Sequence, residues 1–404
     1  MADSGRQLQK EKLRAGMVGP DTKVKEQRRK APLVPILVIL VLLVIAGLFY
    51  VRYRTYCAVE SRVIWERELA ADTPQTFLGY EPFQGGCIMY SRDGAEFIDG
   101  KGVSVWQRSY QMNDPVCSTC GSYAVIADRG GTKLYIFSDT GVTGEVSAVM
   151  SIARAVVSGK GLVYAVLDDS DADFIVAYRK DGTAVDLSVK SVVNGDGYPF
   201  DIAVSPDGTQ LVTSYVSVGD GAVKESVVFR NFGDVGQNAD SRRVVGGFME
   251  EFEGHVVTRV TFPTNEYAHA FYDGGAAFFS TKVLTSPELI TKVEPEGIIL
   301  SIAEDDSHTC LIVEEEDGTK KLLIYDARGR QTGSAVIEMN YSGFTVGSEC
   351  VILYNQRTAA GYSMSGRNVF TIKSEGKLSA VCATDRLRDL ITAEGARLRR
   401  LRAE

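Results

Sequence analysis

Residues 197–216 read GYPFDIAVSPDGTQLVTSYV. Two apolar segments flank the five residues Ser205-Pro206-Asp207-Gly208-Thr209. Proline fixes φ, the aspartate side chain caps the backbone two residues on, and glycine accepts a positive φ, so this is a tight turn joining two strands. The stretch that follows, VVFRNFGDVGQNADSRRVVGGF (227–248), reads as a further strand pair with a Gly/Asn-rich loop between its members.

The same phrase recurs on either side. It appears as GGCIMYSRDGAEFIDGKGVSVW (85–106), GSYAVIADRGGTKLYIFSDTG (121–141) and GKGLVYAVLDDSDADFIVAYRKDG (159–182). HTCLIVEEEDGTKKLLIYDARG (308–329) and SECVILYNQRTAAGYSMSGRN (348–368) continue it. No stretch after residue 60 carries a long 3.6-residue period, so the chain beyond that point is expected to be all-β. The spacing suits a propeller, whose four-stranded blade needs about 40–45 residues. Residues 61–404 accommodate eight blades best, with seven the alternative. SAVCATDRLRDLITAEGARLRRLR (379–402) supplies three strands without a fourth, and SRVIWEREL (61–69) is a strand without neighbours. Pairing them would close the ring and remove its exposed sheet edges. The competing reading is an amphipathic helix through Leu387, Leu390, Ile391, Leu398 and Leu401, which Gly395 interrupts.

Ahead of the repeats, residues 33–51 read LVPILVILVLLVIAGLFYV with no charge. That is about 28 Å of helix, close to the roughly 30 Å of a bilayer's hydrocarbon core. Pro32 and Pro35 fall at its start, where no backbone donor is lost, and Tyr50 and Tyr53 suit an interface. The run is longer than the core of a cleaved signal peptide, and no A-x-A-like site follows it. Lys23, Lys25 and Arg28-Arg29-Lys30 precede it, which places the amino terminus in the cytoplasm and the remainder outside. The expected division is a disordered basic tail over 1–31, a transmembrane helix over 32–51, a linker over 52–60 and an extracytoplasmic propeller over 61–404. Charge divides the same way. Of 44 Lys+Arg and 52 Asp+Glu in 404 residues, residues 1–51 hold nine and four, leaving 35 against 48 for the rest. An acidic outer region excludes a nucleic-acid-binding role, which requires a basic footprint.

The turn at 204–208 is similar to that of WD40-like, quinoprotein-like and TolB-like propeller repeats. The whole layout, a basic tail, one anchor and this motif followed by NFGDVGQN, resembles an uncharacterised family of single-pass membrane propeller proteins from anaerobic Gram-positive bacteria. The resemblance implies the fold and the placement, and it brings no known activity.

Chemistry-bearing residues are sparse. Cys87, Cys310 and Cys350 occupy one repeat position at the start of an apolar strand, and Cys382 lies in an equally apolar one, which reads as packing. Cys117-Ser-Thr-Cys120 is the one CxxC. It lacks the helical context of a redox motif and the second ligand pair of a zinc site. A local disulfide between Cys117 and Cys120 is open to it outside the cytoplasm, with two unbridged thiols the default. Three histidines, His255, His269 and His308, show no metal-site spacing, and no P-loop or nucleophile elbow occurs. Asp168–Asp173 and Glu314–Gly318 read as solvated hairpin tips, Trp65 and Trp106 as packing between blades, and the six arginines of 386–402 as a solvated strand face. No catalytic, metal or cofactor site follows. The architecture points to a scaffold or sensor that binds a protein or an envelope polymer at the cell envelope, without catalysis. The rival is a propeller enzyme of the quinone-cofactor dehydrogenase or lyase type. A dense cluster of His, Arg or carboxylates in the axial channel would favour that rival.

Overall fold

The turn that decides the fold forms as its residues dictate. In the computed structural model, which describes residues 33–69, 77–192, 195–219, 221–239 and 242–404, strands Tyr198–Val204 and Gln210–Gly219 pair antiparallel with Val204 opposite Leu211. The Ser205 hydroxyl donates to Asp207 Oδ1 at 2.6 Å, and the Thr209 N–H donates to the same oxygen at 3.0 Å. Gly208 sits at φ +81°, the left-handed region that a side chain would resist.

Eight four-stranded antiparallel sheets result. Blades 1 to 7 take residues 79–109, 115–147, 151–191, 198–248, 257–293, 298–337 and 343–373, each with its four strands in chain order. Blade 8 is composite. Leu378–Ala383, Asp389–Glu394 and Arg397–Ala403 come from the carboxyl end, and Ser61–Glu68 adds antiparallel to the last of these. Ser61 faces Ala403 and Glu68 faces Arg397, with one bulge between Val63 and Trp65. The ring therefore closes by its terminal strands as expected, with eight blades, and the helical reading of 386–402 gives way to two strands. Segment 52–60 is not simply a linker: the Ala58 N–H donates to Val369 O at 3.0 Å and Ala58 O accepts from the Thr371 N–H at 2.8 Å, against the last strand of blade 7.

The core lies in the seams between blades, not at one centre. Between blades 1 and 2, Phe83, Phe97 and Trp106 pack against Ile126 and Phe137. Trp106 stacks on Phe137 with ring centroids 4.4 Å apart, and its Nε1–H donates to Ser138 O at 3.1 Å. Between blades 4 and 5, Phe229 meets Phe279 edge-on at 5.2 Å. Such neighbour-to-neighbour burial is how a repeat array is stabilised.

A separate unit, Met1–Tyr56, holds one described element, helix α1 over Leu33–Thr55. Its 23 residues rise about 34 Å. The apolar side chains described on it, from Leu37 to Val51, are exposed all round, 44% to 74%. Among the described residues no helix is long and apolar enough to cross a membrane, so the transmembrane span expected over 32–51 is not supported. The basic tail, 1–31, lies outside the described residues.

Candidate functional site

The first strand of each of blades 1 to 7 contributes to the wall of an axial channel of about 690 Å³. These strands are mostly apolar, so the few charges on them matter. In blade 3 a bulge falls between Ile152 and Arg154, in blade 4 between Pro199 and Asp201, and in blade 5 between Val257 and Arg259. Blade 6 repeats the device between Ile299 and Ser301. A bulge opposes two residues to one and re-aims the side chain that follows it. Arg154, Asp201 and Arg259 thus occupy one repeat position on three successive blades.

Asp201 is buried behind the wall. Its Oδ1 meets Arg154 Nε at 2.8 Å, its Oδ2 accepts the Val260 N–H at 2.9 Å, and its own N–H donates to Ser214 Oγ at 3.1 Å. Burial raises its pKa, with Arg154 and the Val260 N–H opposing the rise. Glu81, on the first strand of blade 1, lines the channel, and its side chain makes no hydrogen bond or close ion pair among the described residues. Loss of water around it pushes its carboxyl up to about 7, although Arg259 draws it down. Arg259 likewise lines the channel with no close carboxylate partner.

The end of the first strand of blade 6 adds Glu304-Asp305-Asp306. Glu304 Oε2 accepts from Thr261 Oγ1 at 3.0 Å and lies 3.3 Å from Nδ1 of the buried His269, whose Nε2 is 3.1 Å from Ala327 O. Asp305 Oδ1 accepts the Ser307 and His308 N–H groups. Burial, then the adjoining Asp305 and Glu304, raise the Asp306 carboxyl. The lining therefore sets four carboxylates, Glu81, Glu304, Asp305 and Asp306, against Arg154 and Arg259, with Asp201 committed to Arg154. The convergent charge that the catalytic rival called for is present in kind, as carboxylates and guanidinium groups.

Cys117 and Cys120 stand on the same wall, on strand Pro115–Cys120 of blade 2. They are not bridged. Cys117 is opposite Ile126 and Cys120 opposite Tyr123, so the strand is extended between them. Residues three apart on a strand face opposite sides, and their Cα atoms are separated by about 10 Å, beyond the roughly 7 Å that a disulfide spans. Burial pushes the Cys117 thiol far up and the Cys120 thiol up to about 11, which leaves both as poor nucleophiles.

The remaining residues singled out in the sequence serve the frame. Cys87, Cys310 and Cys350 are fully buried, but they open the second strand of their blades and not the innermost one. The arginines of 386–402 are not a plain solvated face. Arg402 Nε and Nη2 donate to Asp389 at 2.7 and 2.9 Å, Arg400 Nη2 joins at 3.2 Å, and Arg399 lies against Glu66, Glu375 and Glu394. Trp65 donates to Gly100 O at 3.0 Å and joins blade 8 to blade 1. Among the described residues no group of three His, Cys, Asp or Glu is placed to hold a metal ion. In the sequence Glu81, Arg154, Asp201 and Arg259 carry only the signal of a lone charge within an apolar strand, and Glu304 that of an acidic run at a strand end.

The profile of a family described as being of unknown function (DUF5711) matches residues 52–402. The chain belongs to that family. No curated protein matches it. Among solved structures, it is similar to the C-terminal WD40 domain of Sif2, at 7% identity over 86% of this chain and 99% of that one, with a TM-score of 0.57. BamB from Moraxella catarrhalis is similar at 14% identity over 85% and 100%, TM-score 0.51. AztD from Citrobacter koseri follows at 11% over 74% and 87%, TM-score 0.50. At such identities the likeness shows a shared propeller fold and nothing finer.

Proposed function

We propose that the protein is a binding scaffold held at the cell envelope by α1, with the propeller outside the cytoplasm, and that it receives a basic segment of a partner protein or a cationic stretch of an envelope polymer at its axial channel. The observation that carries the docking is the channel's excess of carboxylates over guanidinium groups, in an outer region that is itself acidic. Complementary charge favours encounter with a basic partner and disfavours acidic ones. The fold shared with BamB and WD40 domains agrees with an interaction role. The exposed apolar surface of α1 and the preceding Arg28-Arg29-Lys30 cluster support the anchor and its direction, as does the resemblance to envelope proteins of anaerobic Gram-positive bacteria.

The test is crosslinking of the full-length chain in native membranes, with partners identified by mass spectrometry. A partner captured by the native protein and lost when Glu304, Asp305 and Asp306 become Gln, Asn and Asn supports the reading. Recovery of no specific partner, together with a cofactor absorbance in the purified protein, would overturn it. For placement, protease added to cells stripped of wall should digest residues 52–404; their protection, with cleavage of the tail, would invert the topology.

One observation favours the catalytic rival. Glu81, with its carboxyl near 7 and Arg259 bearing on it, is poised as an acid or base in a cavity. That reading requires a bound cofactor or a turnover that Glu81→Gln abolishes.

A further inference from the structure

Two thiols that sequence places at opposite ends of the ring meet in its closing seam. Cys87, on the second strand of blade 1, and Cys382, on the first strand of blade 8, are 295 positions apart, and their Sγ atoms lie 3.2 Å from one another. Both are buried, among Met89, Ile98, Ile391 and Leu398. Cys310 and Cys350 hold the equivalent second-strand position in blades 6 and 7, and neither is within hydrogen-bonding reach of another thiol. The paired sulfurs are therefore a feature of the one seam where the chain's beginning meets its end.

We infer that Cys87 and Cys382 are a cross-link site, joined by a disulfide as the ring closes. A bond of about 2.05 Å asks the sulfurs to approach by only about 1 Å. The oxidant is an external disulfide, R–S–S–R. One protein thiolate attacks it, giving a mixed disulfide and releasing one R–SH; the second protein thiolate then displaces the other R–SH. Two protein thiols and one R–S–S–R thus become one protein disulfide and two R–SH, with each thiol proton passing to a leaving thiolate. The burial that surrounds the pair fixes the order of events. In the closed ring no oxidant reaches either sulfur, and the Cys87 thiol, beside Cys382 and stripped of water, is held far from ionisation. The mixed disulfide forms while blades 1 and 8 are apart, and their docking completes the exchange.

The consequence is a covalent ring. Without the bond, blades 1 and 8 are held by the pairing of Ser61–Glu68 with Arg397–Ala403 and by side-chain contacts. With it, fraying of that terminal strand no longer parts them, and the closed seam shields the bond from reductants. The site also separates by position from Cys117–Cys120, whose thiols one straight strand keeps apart. The inference rests on the extracytoplasmic reading only for the origin of the oxidant in the cell.

The test uses the full-length protein, unfolded in reductant and refolded in detergent with a mixture of reduced and oxidised glutathione. Free thiols are alkylated in denaturant before digestion. The expected result is a product two hydrogens lighter than the reduced chain, a linked peptide pair containing Cys87 and Cys382, and alkylation of Cys57, Cys117, Cys120, Cys310 and Cys350. Alkylation of all seven thiols in protein whose folding is shown by circular dichroism would overturn the inference, as would a linked pair of other cysteines. Cys382→Ala gives the second measurement: added reductant should lower the urea midpoint of the oxidised native protein and leave that of the variant unmoved. Equal behaviour of the two refutes the cross-link. The protease test of topology reads the compartment independently.

Discussion

Glu81→Gln separates the two meanings of a charge in the channel. The carboxyl of Glu81 is raised from 4.5 to about 7, by burial first and in spite of Arg259. Between those two pH values the folded state holds a proton that the unfolded chain has released, so folding stability falls as pH rises through the window. At 1.36 kcal/mol per pKa unit, the cost of ionising Glu81 grows by about 2.5 kcal/mol from pH 5 to pH 8. Glu81 keeps partial contact with the channel, and solvent screening makes that figure a ceiling. Glutamine preserves the shape and removes the titration. Urea unfolding of the full-length protein in detergent, at pH 5 and pH 8, gives the assay. Because every other titrating group is common to both proteins, the difference between them isolates Glu81. The variant should be the more stable at pH 8, by an amount that shrinks towards pH 5. A difference that does not change with pH, or a variant less stable at pH 8, would show that Glu81 is solvated or paired and that the channel is not the desolvated site described here.

Asp389→Asn should behave in the opposite sense. Burial alone raises that carboxyl, but Arg402 and Arg400 hold it below its ordinary value of 3.8, so the stability it contributes is present above pH 3.8 and is lost as pH falls through the lower folded value. Removing the charge of this clamped carboxylate, whose partner Arg402 reaches solvent, costs about 1–3 kcal/mol, seen as a lower urea midpoint at pH 7 that converges with the native one in acid; an unchanged midpoint at pH 7 refutes the clamp. Trp106→Ala empties the seam between blades 1 and 2, where the ring is 8% exposed, and should cost about 3–5 kcal/mol in thermal or urea unfolding. Trp106→Phe should recover part of this by keeping a ring against Phe137, and equal loss in both variants would assign the effect to the indole hydrogen bond.

How far the sequence disclosed this protein depends on whether the information is local. Ser205-Pro206-Asp207-Gly208 names its own conformation, because each residue acts within five positions, and its recurrence gave the blades. Ser61–Glu68 and Arg397–Ala403 could be joined because each lacked a partner. The arginines of 386–402 read as a solvated face for the same reason: alternation along a strand says which side a residue faces, but not that Asp389 and Glu66 lie there. The channel was invisible. Glu81, Arg154, Asp201, Arg259 and Glu304 come from blades 1, 3, 4, 5 and 6, and only closure of the ring gathers them. The bulges before Arg154, Asp201 and Arg259 also shift the two-residue alternation at the positions where it would have been read.

The two charge systems differ in whether each charge has a counter-charge beside it, and that contrast bears on where a ligand could dock. At the seam, Asp389 takes three guanidinium hydrogen bonds from Arg400 and Arg402, and Arg400 Nη1 donates to Gly100 O at 2.6 Å, its Nε alone being left without a hydrogen-bond partner. Charges that pair this closely with one another leave little for a ligand and serve to fix the join. On the axis, Arg154 and Asp201 form an ion pair with each other, while the side chains of Glu81 and Arg259 face the same cavity without close partners among the described residues. A scaffold gains no stability from desolvating a carboxylate and leaving it unpaired. Such a group persists where something outside the chain completes it, and a cationic segment entering the channel would supply Glu81 and the 304–306 carboxylates with the counter-charge that the ring itself withholds.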